Sequence, residues 1–174
     1  MNFDYTDEQK AIRKEVVDFC GSDPDLGAIG EKFDGRELEP LVAIAAVEAF
    51  GYASEDEAVA LAAPSQLLGD GDQNLGRVGQ AAVAVGKMQR DIEAMVKTAR
   101  AAKRSGDDNA NQERVSIRIA DLKVRLESSR LLVYRAVGSL GSGNADAAIA
   151  MLAVTDDEAD SGALRDAIAN ELGL

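Results

Sequence analysis

The side chains able to do chemistry in this chain are carboxylates and phenols, and little else. Of 174 residues, 31 are Asp or Glu and three are Tyr, while His is absent and Cys20 is the single cysteine. Without imidazole, a Ser–His–Asp or Cys–His arrangement is impossible. With no His and one thiol, zinc lacks its usual ligands, and no metal site is expected. Cys20 cannot form a disulfide within the chain, which fits a reducing compartment, and it reads as a small buried apolar residue. The stretch "GDGDQN" at 69–74 does not continue into a calcium loop, because the glycine and terminal Glu of that pattern are missing. "GDGDQNLG" also lacks the strand and the Lys of a phosphate-binding loop. What remains is proton transfer by Asp, Glu or Tyr, and the pattern does not choose among them.

The elements that would position such groups are helices. Ala is abundant, aromatics are 4% of residues, and no alternating apolar run is bounded by turn signals, so no sheet is expected. In "TDEQKAIRKEVVDFC", Thr6 and Gln9 have capping-box spacing, and Ile12, Val16 and Phe19 share a face. This helix should end near Gly21, with Phe3 and Tyr5 packing back on it. A second helix is expected from Pro40 to Gly51, and a short third one capped by Ser54 with Glu57, broken or restarted at Pro64. From Leu75 to about Arg104 the chain reads as one long helix. Gly79 and Gly86 inside it predict close helix–helix approach. After a loop at 105–111, Val115, Ile119, Leu122, Leu126, Val133, Val137 and Leu140 form one apolar seam around Ser129. "GSGN" at 141–144 turns the chain into a last helical region over 145–170, interrupted around "DDEADSG". The division suggested is an N-terminal helical part at 1–73 and a helical bundle at 74–174, which could form one compact domain.

Charge is segregated along the chain. Residues 1–75 carry 17 acids and 5 bases, residues 76–143 carry 7 acids and 13 bases, and residues 144–174 carry 7 acids and 1 base. Solvated helix faces that neutralise one another would explain this, and so would a site for an anionic ligand. The net charge of −12 argues against nucleic acid as a partner. No apolar run reaches the roughly 18 residues a membrane span needs, and the N-terminus has no signal-like core, so a cytoplasmic protein is expected.

One helix carries a more specific pattern. "IADLKVRLESSRLLVYRAV" at 119–137 is similar to the central C-terminal helix of the acyl-CoA dehydrogenase family. The shared features are an Ala-Asp-Leu start, an acid, a small pair, then Arg-Leu-Leu-x-Tyr-Arg-Ala. "AAVAVGKMQRDIEAMVKTARAAKRSG" resembles the helix before it in that family, and "FDYTDEQKAIRKEVVDF" resembles the family's first helix. The resemblance implies an all-α fold like the family's C-terminal four-helix bundle, with a short N-terminal helical part. The family's middle β-domain has no room between the third helix and residue 75, so the chain reads as a truncated member.

Family members bind FAD and remove two hydrogens from an acyl thioester, with a Glu as base. In this chain the FAD-touching loop Arg falls on Ala102, the aromatic residue before its Gly on Ser105, and one branch's base on Gly76. The other branch's base would lie beyond Leu174. No catalytic residue is therefore assigned. Arg77 matches an Arg at the substrate edge, and Asn74 sits where a polar substrate contact is often found. These two are the substrate-binding candidates, although Arg77 could equally be a first-turn surface residue. Arg130, Tyr134 and Arg135 are expected to hold the bundle together.

Three readings follow. The first is a non-redox binding or assembly partner, a pseudoenzyme that forms homo-oligomers or joins a full-length flavoprotein. It would need no cofactor of its own, with FAD present only if shared with a partner chain. The second is an enzyme that uses a remodelled family cavity for cyclisation, dehydration or proton transfer on an acyl-CoA or carrier-bound thioester. The third is a helical scaffold whose likeness to the family is bundle patterning alone.

Overall fold

The computed structural model describes residues 4–33, 36–69, 73–104, 111–139 and 145–171. They form seven helices: α1 (Asp7–Cys20), α2 (Leu26–Phe33), α3 (Pro40–Ala53), α4 (Glu57–Leu68), α5 (Gln73–Arg104), α6 (Asn111–Gly138) and α7 (Ala145–Glu171). No strand occurs among the described residues, so the all-α expectation holds. The long helices α5, α6 and α7 pack on one another, and α3 packs against α1, α4, α5 and α6.

Helix α1 starts as its sequence predicts. The Thr6 side chain accepts from the Gln9 N–H, and the Gln9 side chain accepts from the Thr6 N–H. Helix α2 was not expected, because "LGAIGEKF" carries two glycines in eight residues. It forms because Asp25 accepts from the Ala28 N–H at 2.9 Å, and because Ile29 and Phe33 are buried. Phe33 meets Phe19 and Phe50 edge-on, with centroids 5.7 and 5.8 Å away. The expected packing of Phe3 lies outside the described residues.

Helix α3 runs beyond its expected end at Gly51 and stops at Ala53, with Ser54 as C-cap. Gly51 is there for packing instead. A Cβ on it would collide with the Val83 backbone of α5, and one on Gly86 would collide with the Glu48 carbonyl of α3. The two helices therefore cross backbone to backbone, which only glycine permits. Gly79 makes the same kind of approach to α4, where an added Cβ would lie 2.6 Å from the Pro64 side chain. Pro64 does not break α4, contrary to expectation; it is buried inside the helix, with its ring filling the space Gly79 leaves. The cap of α4 is Asp56, which accepts from the Ala58 N–H, while the expected cap Ser54 donates to the Asp56 carbonyl at 2.8 Å.

Helix α6 buries the seam read from its sequence: Val115, Leu122, Leu126, Ser129, Val133 and Val137 are all buried, with Ile119 partly so. Leu140 and the turn at 141–144 lie outside the described residues, as does most of the 105–111 loop. Helix α7 corrects a further expectation, since it passes through "DDEADSG" without interruption. That polar stretch is held from neighbouring helices. Arg125 on α6 reaches Asp160 at 3.2 Å and Asp157 at 3.6 Å, and Ser129 donates to Asp157 at 2.9 Å. Arg165 reaches the buried Asp91 of α5 at 2.7 Å.

Candidate functional site

The densest polar cluster is built around Glu48. It is the only charged residue of α3, and its side chain is 1% exposed. An unpaired carboxylate so deep would be strongly unfavourable. Its Oε1 accepts from the Tyr5 hydroxyl at 2.6 Å, from Arg130 Nε at 3.0 Å and from Arg130 Nη2 at 2.9 Å. Arg13 Nη1 stands 3.2 Å away. Arg130 also donates to both Glu127 oxygens at 3.2 Å and to Gln89 at 2.9 Å. Arg13 donates to the same Gln89 oxygen at 3.3 Å, and its guanidinium lies 4.3 Å from the centre of the Tyr5 ring. The cluster thus joins the segment before α1 to α1, α3, α5 and α6.

Its electrostatics are those of a closed joint. Burial, reinforced by the charge of Glu48, pushes the Tyr5 phenol far above its ordinary value, and the same two causes act on Tyr134. Both remain neutral phenols at physiological pH. Burial opposes the charge on Arg130, but Glu48 and Glu127 outweigh it and hold the guanidinium charged. Sequence reasoning did not single out Glu48. The available signal was one acid inside the apolar run "LVAIAAVEAF", which demands a buried cation elsewhere in the chain.

The grooves lie away from this cluster. Two adjoin each other where the second half of α5 meets the first half of α6. One, of about 440 Å³, is lined by Val96, Ala99, Ile119, Arg100 and Lys103 among others. The other, of about 590 Å³, adds Ile92, Lys97, Arg104 and Lys123. Glu48 lines neither. Both are open to solvent, and each is lined by apolar side chains, basic side chains and one acid, Glu113 in the first and Glu93 in the second. Among the described residues no group of His, Cys, Asp and Glu is arranged to hold a metal ion.

The positions singled out in sequence fall elsewhere. Asn74 is half-buried and Arg77 exposed, one turn apart at the start of α5. Gly76 between them has nothing within 4 Å of where a Cβ would stand; it edges a small groove of about 220 Å³ with Pro64 and Gln80. Ala102 is buried near the end of α5, and Ser105 lies outside the described residues. Arg130 and Tyr134 do join helices together, Tyr134 packing edge-on to Tyr5 at 6.4 Å. Arg135 is largely exposed, 3.7 Å from Asp146. The structure therefore does not bring Asn74 and Arg77 into the Glu48 cluster or into the α5–α6 grooves.

Comparison with known proteins adds three findings. Residues 72–168, more than half of the chain, match the acyl-CoA dehydrogenase C-terminal domain. A 63-residue segment is 38% identical to L-prolyl-[peptidyl-carrier protein] dehydrogenase of Pseudomonas fluorescens, covering 36% of this chain and 17% of that enzyme. No solved structure gives a significant match. Helices α5 to α7 with their seam, and the length of the family match, make this chain a member of the acyl-CoA dehydrogenase family, carrying its all-α C-terminal domain.

Proposed function

We propose that this chain is a non-redox member of the family that works as a helical binding and assembly partner, with itself or with a flavoprotein. The observation that carries the reading is the state of the positions that flavin chemistry would use. Where the family's FAD-contacting Arg would stand there is Ala102, a buried methyl with no charge to offer a pyrophosphate. Where one branch places its base there is Gly76, and α-proton abstraction needs a positioned base. Between α4 and α5 only residues 69–72 intervene, which leaves no β-domain there to cover a flavin. These residues do not fit a flavin held by this chain alone, and no redox step is derived for it.

The most deeply buried carboxylate among the described residues, Glu48, is paired with Tyr5, Arg13 and Arg130, which supports a structural anchor over a waiting base. The test is the visible spectrum of the purified protein, together with its mass in solution. A colourless protein that self-associates or copurifies with a flavoprotein supports the proposal. Stoichiometric flavin in the purified chain alone overturns it.

A second reading rests on the α5–α6 grooves. Their apolar lining with Lys97, Arg100 and Lys103 suits an acyl thioester with an anionic carrier arm, and the related enzyme from Pseudomonas is named for a carrier-bound substrate. Such a ligand could be bound or altered without redox chemistry. Calorimetry with an acyl-CoA separates the cases: saturable binding lost in Arg100→Glu favours this reading, and no heat of binding removes it.

A further inference from the structure

The furrow between the second half of α5 and the first half of α6 is lined, among the described residues, by those two helices alone. Helix α3 reaches its inner end, where Tyr52 donates to Glu93, and stops at Ala53. From there the two grooves join through Val96, Arg100 and Ile119, which line both. Ile92 to Lys103 on α5 measures about 16 Å, or three turns of helix. Val96, Ala99 and Ile119 are only partly buried against the core, so the furrow leaves apolar surface uncovered.

Its charge runs against that of the chain. Five cations and two acids line the two grooves, in a protein of net charge −12. Lys97, Arg100 and Lys123 are exposed and form no ion pair among the described residues. Lys97 stands four residues after Glu93, the ordinary spacing for a pair along a helix. The Glu93 carboxylate instead accepts from Tyr52 at 2.7 Å and from Gln89 at 3.0 Å. Asp157 and Asp160 of the acidic α7 are met by Arg125 and not by these three. The helix dipole accounts for Lys103 and Arg104 in the last turn of α5, but its effect fades within that turn and does not account for Lys97 or Lys123.

We infer that this furrow docks an acidic amphipathic helix of a partner protein, a chain other than this one. Two packed helices leave a furrow that a third fills by setting its ridges into it. Apolar residues of that helix, spaced by three and four, would meet Val96, Ala99 and Ile119, and its carboxylates would meet Lys97, Arg100 and Lys123. A small ligand is less well served, because such sites enclose most of the molecule they bind and this furrow is open to solvent. An anionic bilayer would also meet the rest of a strongly acidic chain, whereas a single helix meets the furrow alone. The inference rests on the reading of this chain as a binding partner, and adds the surface and the chemistry of the contact.

The test uses the full chain and a fluorescent peptide of about four turns with Leu on one face and Glu beside it. A covalent staple holds it helical, because a free helix so short is marginal in water. Anisotropy should show saturable binding that weakens as salt is raised. The same peptide with Lys in place of Glu should not bind. Arg100→Glu together with Lys123→Glu should weaken binding by roughly tenfold or more. Both residues are exposed, so the double variant should keep the wild-type helical circular dichroism. Arg135→Glu, on the other half of α6, should leave binding unchanged. No binding of the acidic peptide, equal binding of the Lys form, or indifference to R100E/K123E overturns the inference. Vesicles of anionic lipid or an acyl-CoA that bind in place of the peptide overturn it as well. So does an oligomer of this chain that R100E/K123E dissociates in sedimentation, since the occupant is then a second copy. All these failures leave the non-redox reading standing, whereas stoichiometric flavin in the purified chain overturns that reading instead.

Discussion

Glu48 and Arg130 show how far single residues carry this fold. Their pairing sits where neither charge reaches water, so removing one partner strands the other. Glu48→Ala is expected to cost about 3–5 kcal/mol in urea unfolding, the range for breaking a buried ion pair from one side. Adding Arg130→Met to it should cost less than the two single losses summed, because the stranded cation is gone. Equal additivity would show that the pair is not coupled. The phenols give a pH prediction. Tyr5 and Tyr134 have folded values raised by burial, and burial raises the Cys20 thiol from 9.0 to about 11. Below the unfolded values both states hold these protons and the contribution is complete. Above roughly pH 9 for Cys20, and about pH 10 for the phenols, the unfolded chain loses protons that the folded chain keeps. Stability should therefore fall as pH rises beyond about 9, with phenolate absorbance of Tyr5 and Tyr134 appearing only as helical signal is lost. Ionisation of both phenols with the helices intact would contradict the buried placement.

Among the elements, the α3–α5 crossing is decisive. Its contact is backbone on backbone at Gly51 and Gly86, so there is no flexible side chain to yield. Gly86→Ala should destabilise by about 2–3 kcal/mol through overpacking, even though Ala is the better helix former. Gly76, in the first turn of the same helix α5, has open space where a Cβ would stand. Gly76→Ala should instead stabilise by about 0.5–1 kcal/mol, the ordinary propensity gain. Thermal melts of the two variants should thus shift in opposite directions. Shifts of the same sign would mean that propensity, and not the crossing, governs both sites. Helix α7 makes the related point for polar residues, because "DDEADSG" stays helical through partners on α5 and α6 that no local pattern discloses.

At the scale of the whole molecule, the charge blocks meet across helices. The acidic α7 lies on the basic middle segment, with Arg125 joining Asp157 and Asp160. Among the described residues no helix is long and apolar enough to cross a membrane. Large apolar side chains also stay exposed on several helices, among them Leu61, Ile117, Val124 and Ile149. If the chain associates with itself, its melting temperature should rise with protein concentration, as for any fold stabilised by association. A concentration-independent melt would count against self-association.

The sequence by itself determined helices α1, α3, α5 and α6 and the inner face of α6. Capping pairs such as Thr6 and Gln9, and the 3–4 spacing of Val115 to Val137, act over a few residues and are readable along the chain. It also determined the family, because the Arg-Leu-Leu-x-Tyr-Arg pattern of α6 is local in the same way. The residues that the resemblance sets at the flavin-contact and base positions, Ala102 and Gly76, were readable for that reason. Only the tertiary structure decided what those helices are set against. The partners of Glu48 lie at positions 5, 13 and 130, and separations of that size leave no periodicity to read. The uses of Gly51 and Gly86 depend on a crossing between helices, and the exposure of Ile117, Val124 and Leu131 depends on which side of α6 its neighbours leave bare. Local spacing sets which residues share a face, but the packing of all seven helices sets whether that face meets protein or water.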